Sequence, residues 1–345
     1  MRSSRNQFAV KPLPLPNHPV MRCAWLVLAA ALSGSVAAQP ASTGSYPARP
    51  IRVVVPFAAG SSTDITARRL EPHMSRTLGQ HLVVDNRAGA VGVIGSDMVT
   101  RASPDGYTLL MTAVSSHSIA AALRPKSLPY DVIKDFTPIA RVSVTPLILI
   151  SANTSPFKTF AEMASFAKQN PGKLNYASSG IGTASHLYME QIKLAMGLDI
   201  AFVPYRSTGQ QMADTISGQV HMSLPSLIGG LPQVQGGKAR LLAIGGASRH
   251  ASFPDVPTFA DASGMAGFDA AVWYGFVGPR GMPDAAVARI NAEMATALNS
   301  PRVTKVIEDG GALKAHTSPS GFGALIQSGA LDAQKIIKTL NIELQ

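Results

Sequence analysis

One cysteine in 345 residues, Cys23, leaves little room for thiol chemistry. It lies in an N-terminal apolar segment, so the chain beyond that segment is expected to hold no disulfide and no thiolate metal site. Charged residues make up only 14% of the chain and aromatics 6%. No run of Lys and Arg interleaved with aromatics occurs, which excludes a nucleic-acid stripe. No apolar run after residue 38 reaches the about 20 residues that a bilayer span needs. There is no Gly-x-Ser-x-Gly elbow, no Walker lysine and no His-Glu-x-x-His, and the histidines stand apart rather than at metal-ligand spacing. No enzyme chemistry, metal or cofactor is expected.

What is present starts with a targeting signal. Ala24 to Ala38 is apolar or small throughout, and Val36-Ala37-Ala38 suits cleavage before Gln39. Residues 1–38 are read as a signal peptide, with Met21 as an alternative start because Pro12, Pro14, Pro16 and Pro19 crowd an unusually long leading region. The residues before Cys23 lack a lipobox. Those 38 residues hold Arg2, Arg5, Lys11 and Arg22 and no acid, so removing them takes the formal charge from +10 to +6. That mild basicity supports no more than a bias towards anionic ligands. The expectation is an exported, soluble, periplasmic chain.

The body alternates strands and helices, which predicts α/β sheets of parallel or mixed sense. Its organising stretch is Val53-Val54-Val55 running into Pro56-Phe57-Ala58-Ala59-Gly60-Ser61-Ser62-Thr63-Asp64. Three β-branched residues read as a buried strand, and Pro56 and Gly60 turn the chain. Ser61 and Asp64 fit a Ser-x-x-Asp cap, and Ala67, Leu70, Met74 and Leu78 give the helix over 64–78 an apolar face. Such a turn aims free N–H groups and hydroxyls above the strand end, where an anion fits, although an ordinary capped βα turn has the same pattern. Further strands are expected at 82–84, 107–112, 147–150, 174–177, 200–203, 220–224, 239–244 and 272–277. Helices are expected at 158–169, 184–196, 210–217, 284–299, 302–309 and 319–338, with 124–136 and 254–267 irregular.

The same plan recurs at 178–186 and 204–210, each an apolar strand, a small Ser/Thr/Gly loop and a helix start. Ligands of open α/β sheets bind outside the carboxyl ends of strands. Three such turns facing one another make a donor-rich cleft of little fixed charge, suited to carboxylate. The candidate ligand contacts are Phe57, Ala59, Gly60, Ser61, Ser62, Thr63 and Asp64 in the first turn and Ser115 and His117 after the 107–112 strand. Ser179, Gly180, Thr183 and His186 belong to the second turn, and Tyr205, Ser207 and Thr208 to the third. His117 and His186 fit local hydrogen-bonding roles as well, Phe57 and Tyr205 fit cleft lining or packing, and Trp273 and Tyr274 fit a core strand or a cleft wall. Gly180-x-Gly182 begins a dinucleotide fingerprint but has Ser185 in third place, and Asp199 precedes the next strand instead of ending it.

Several pieces together resemble the periplasmic receptors of tripartite tricarboxylate transporters, the Bordetella-type uptake receptors. They are Tyr46-Pro47-x-x-Pro50-Ile51-Arg52, Pro56-Phe57-Ala58-x-Gly60-x-x-Thr63-Asp64, Asn86-Arg87-x-Gly89-Ala90-x-Gly92 and Pro104-Asp105-Gly106-Tyr107-Thr108-Leu109-Leu110. Pro171-Gly172-Lys173-Leu174, Val203-Pro204-Tyr205-Arg206, Gly218-Gln219-Val220, Pro254-x-Val256-Pro257-Thr258 and Gly278-Pro279 follow in order. The resemblance implies a two-domain, type II-like Venus flytrap with two crossover strands, divided as 39–145 plus 272–345 and 146–271. It further implies a small organic acid as ligand, held by the first turn and the facing turns partly through water, and delivery to a two-component integral membrane permease, with the receptor a monomer. Ser61-Ser62 and Ser207 stand where glycines are usual, Gln210-Gln211 replaces a Pro-Ala-like pair, and Phe259-Ala260-Asp261 stands where a Glu is usual. An exported α/β hydrolase and a ligand sensor for a signalling system are the alternatives to a transport receptor.

Secretion is directly testable. N-terminal sequencing of the chain from the periplasmic fraction is expected to begin at Gln39; an intact Met1 start recovered from the cytoplasm overturns the signal-peptide reading.

Overall fold

The computed structural model describes residues 46–340 except Arg206; the proposed signal peptide and Cys23 lie outside them. In chain order the elements are β1 (Ile51–Val55), α1 (Ser62–Leu78), β2 (Leu82–Asn86), α2 (Val93–Thr100), β3 (Thr108–Ala113), α3 (Ala120–Leu123), β4 (Phe136–Pro146) and β5 (Ile148–Ala152). Then come α4 (Phe160–Gln169), β6 (Leu174–Ser178), α5 (Ala184–Met196), β7 (Ile200–Pro204), α6 (Thr208–Ser217), β8 (Met222–Ser223), α7 (Leu227–Gln235) and β9 (Ala239–Ile244). The chain finishes with α8 (Phe259–Ser263), β10 (Ala271–Pro279), α9 (Asp284–Asn299), α10 (Pro301–Glu308), β11 (Leu313–Lys314) and α11 (Pro319–Leu340).

Two mixed sheets carry these elements. The first has the order β11-β4-β10-β3-β1-β2, the second β7-β6-β8-β5-β9. In the first, β1 runs parallel to β2 and β3, while β10 is antiparallel to β3 and β4. In the second, β6 is parallel to β7 and β8, and β5 is antiparallel to β8 and β9. β1 is buried along nearly its whole length, as its run of β-branched residues requires of a strand covered on both faces. Ala67, Leu70, Met74 and Leu78 are all buried on the sheet-facing side of α1, where about 25 cal/mol per Å² of apolar surface favours docking.

The sheets meet where three backbone segments touch. β4 ends at Pro146 and β5 begins at Ile148 in the other sheet. Leu147 between them donates to the Ala270 carbonyl (2.8 Å) and accepts from the Gly245 N–H (2.7 Å). Ala271 pairs with Pro146 as β10 returns to the first sheet. Gly245 is required here because a Cβ would overlap the Ala270 carbonyl.

Three expectations are corrected. β4 was not foreseen; its Pro138 sits beside the register shift between Phe276 and Val277, where a missing N–H is tolerated. α7 was missed because Gly229, Gly230 and Pro232 disguise it. Residues 115–119, expected as a small polar turn at the strand end, form a wide helical turn closed by the Ile119 N–H on the Val114 carbonyl (3.0 Å). Among the described residues no helix is long and apolar enough to cross a membrane.

Replacing Gly245 with Ala should push the 270 segment off Leu147. A loss of roughly 1–3 kcal/mol is expected, as for other forced overlaps in a packed interior, read from urea unfolding midpoints at constant slope.

Candidate functional site

Four strand-to-helix turns end at one cleft. β1 leads to α1, capped by Ser61; β6 leads to α5, capped by Thr183; β7 leads to α6, capped by Ser207; β8 leads to α7, capped by Ser226. Each helix start leaves N–H groups without an intrahelical partner and carries partial positive charge. The cleft between them has an empty volume of about 650 Å³ counted to its mouth, and among the described residues no Asp, Glu, Lys, Arg or His lines it. Leu147, Leu224, Val272 and Ala113 supply apolar floor.

The first turn is braced from beneath. The Asp64 carboxylate accepts from the Gly60 N–H (2.9 Å), Arg68 Nε (2.9 Å) and Asn86 Nδ2 (3.0 Å), and Asn86 also donates to the Phe57 carbonyl (3.1 Å). Ser61 Oγ accepts from the Asp64 N–H (3.3 Å). Burial alone would raise the Asp64 pKa, but the Gly60 N–H, Arg68 and Asn86 outweigh it and hold it below the usual carboxylate value. Asp64 is therefore committed to the loop and is not among the residues that line the cleft.

Two hydrogen bonds cross the cleft. Ser62 Oγ lies 2.6 Å from Ser226 Oγ, and the Ala184 N–H at the start of α5 donates to Ser115 Oγ (3.1 Å). Ser226 occupies a cap position, yet its hydroxyl makes no cap bond and faces Ser62 instead. The Tyr274 phenol joins this pair: burial pushes its pKa up to about 12, while Ser226 and Ser62 act in the opposite direction, so it stays protonated at neutral pH. A Cβ on Gly229 would stand 3.2 Å from Ser62 Oγ and 3.1 Å from a Thr208 methyl, so glycine is what lets α7 approach this closely.

Of the residues singled out from the sequence, Phe57, Ser61, Ser62, Thr63, Ser115, Ser179, Thr183, Ser207 and Thr208 line the cleft. The others lie around it. Ala59 and Gly60 are exposed at the tip of the first loop. Gly180 has φ +129, and its carbonyl accepts from Thr183 Oγ1 (2.8 Å); a Cβ there has ordinary room, 3.7 Å from the Tyr205 carbonyl, so backbone conformation and not crowding requires glycine. Tyr205 donates to Asp214 (2.7 Å). His186 stacks on Phe202 with ring centroids 4.3 Å apart and accepts from the Gly182 N–H (3.2 Å). His117 is fully buried, with Nδ1 2.7 Å from Thr112 Oγ1 and its ring against Phe136. Burial drops its pKa to about 3, so it is neutral across physiological pH.

Sequence reasoning missed Ser226 and Gln211 as cleft residues, and left Tyr274 between a core strand and a cleft wall. Strand alternation separates Tyr274 from Trp273, whose ring packs on Phe322 at 5.3 Å from the opposite face. Ser226 followed by Leu227-Ile228 carried a weak cap signal that the glycines of α7 obscured.

Two mixed sheets with a donor-lined cleft between them define a periplasmic binding protein. The sequence matches the tripartite tricarboxylate transporter family receptor over residues 66–342, and the chain belongs to that family. Protein BugT of Bordetella pertussis is 34% identical over 283 residues, covering 82% of this chain and 86% of BugT. Rpa4515 of R. palustris, solved with adipate, superposes with a TM-score of 0.83 at 31% identity, over 86% of this chain and 99% of that one. MatC of Rhodopseudomonas palustris, solved with bound malate, gives 0.78 at 33% identity, over 85% and 100%. The protein is a solute-binding receptor and not an enzyme, as its family and structural neighbours are.

Asp64→Asn tests the brace. A lowered folded-state pKa contributes stability that is present above about pH 4, the ordinary Asp value, and is lost as pH falls through the folded pKa. The variant is expected to cost about 1–3 kcal/mol at pH 7, and the gap from wild type should narrow at pH 3 in urea titrations.

Proposed function

We propose that this receptor binds a small organic acid through its carboxylate in the cleft and delivers it to a two-component integral membrane permease. The observation that carries this reading is the convergence of four helix N-termini on a wall whose described residues include no Asp, Glu, Lys, Arg or His. N–H groups and hydroxyls then supply the positive potential, as at other helix-terminus anion sites. Adipate and malate in two structural relatives support an acid as the guest.

The lobes are 39–145 with 272–345, and 146–271, hinged at the two strands that pass between the sheets. The Ser62–Ser226 and Ala184–Ser115 bonds belong to the closed form and break on opening. The protein acts in the periplasm as a monomer, exported by residues 1–38.

Thr63→Val and Ser62→Ala should each weaken binding of the cognate acid about ten- to hundredfold by calorimetry, from roughly 1–3 kcal/mol per lost donor. Esterifying the carboxylate should abolish binding. Small-angle scattering should show a smaller particle on saturation. Wild-type affinity in both variants, with normal folding, places the cleft elsewhere.

A further inference from the structure

The cleft wall holds one acceptor that the protein leaves unanswered. Gln211 is fully buried and lines the cleft from the first turn of α6. Its Nε2 donates to the Ala177 carbonyl (3.2 Å) at the end of β6. That bond fixes the amide orientation, because the reverse would set two carbonyl oxygens against each other. The Gln211 side-chain carbonyl Oε1 finds no partner among the described residues. A buried carbonyl without a donor is costly and uncommon, and its position at a ligand cleft supplies a reason for it.

We infer that the guest of this cleft is a hydroxy acid whose hydroxyl donates to Gln211 Oε1; the inference rests on the carboxylate reading above. Three further features narrow the donor. Among the described residues no Asp or Glu lines the cleft, so an ammonium group would be buried without a countercharge, and a neutral O–H fits where an amine does not. Asp64, outside the wall at the first turn, is already committed to Gly60, Arg68 and Asn86. Gln211 also stands four residues past the Ser207 cap, about 6 Å along the helix axis at 1.5 Å per residue. A carboxylate held by the free N–H groups of α6 therefore places the hydroxyl one or two carbons away, as in a 2- or 3-hydroxy acid.

The test uses matched acids on the wild-type receptor: malate, succinate and 2-fluorosuccinate, then 3-hydroxybutyrate and butyrate. Fluorine keeps the size of the hydroxyl but donates no hydrogen bond. By calorimetry the hydroxy member of at least one series should bind tenfold or more tighter than its partners lacking the donor. In Gln211→Met that ratio should fall to about twofold. Equal affinity within each series that binds, or a ratio that survives Gln211→Met, overturns the inference while leaving the carboxylate reading intact. If no acid binds at all, the carboxylate reading falls and the inference falls with it. The wild-type comparison needs no variant and stands even if Gln211→Met misfolds.

Discussion

An α-helix cannot satisfy its own first N–H groups, and this protein's architecture turns that shortfall to use. Both sheets deliver strand ends to the same place, and each strand that arrives there hands over to a helix whose unsatisfied end faces the others. The small residues of the turns follow from this constraint, since bulk at Ser61, Ser179 or Ser207 would keep a guest away from the backbone. The brace under the first turn follows as well. A loop built from Ala58, Ala59 and Gly60 has little side-chain packing to hold it, and Asp64, Asn86 and Arg68 supply the fixed points instead.

The cross-cleft contacts are built from the same short side chains. Ser62, Ser226 and Tyr274 belong to α1, the turn before α7 and β10, so one small cluster joins both sheets and a strand that runs from one to the other. Gly229 sets how near the two sides come. Elements far apart in the chain thus meet on a few atoms.

Much of this was legible in the sequence where local chemistry and tertiary role agree. Ser61 and Asp64 read as a cap and are one; the apolar stripe of α1 faces the sheet; α5 runs from Ala184 to the Gly197 stop as its pattern indicated. Asp64 and Asn86, taken from separate motifs of the resemblance, turn out to bond to each other. Legibility failed where a residue serves a distant partner. Gly229 weakens α7 locally yet makes room for Ser62, and Pro138 looks like a breaker until its place beside a register shift in β4 is seen. His117 and His186 read as polar residues beside turns, whereas burial and ring packing make them part of the interior.

That the described residues of the cleft wall include no Asp, Glu, Lys, Arg or His also shapes how capture starts. The field of a fixed charge reaches across a Debye length of about 8–10 Å in physiological salt, whereas a helix-end dipole acts only within about its first turn. An acid approaching this receptor is drawn in by the wall only once it has reached the mouth. Electrolyte weakens a lysine-lined cleft more than it weakens such short-range contacts, so capture by this wall should vary less between dilute and saline surroundings.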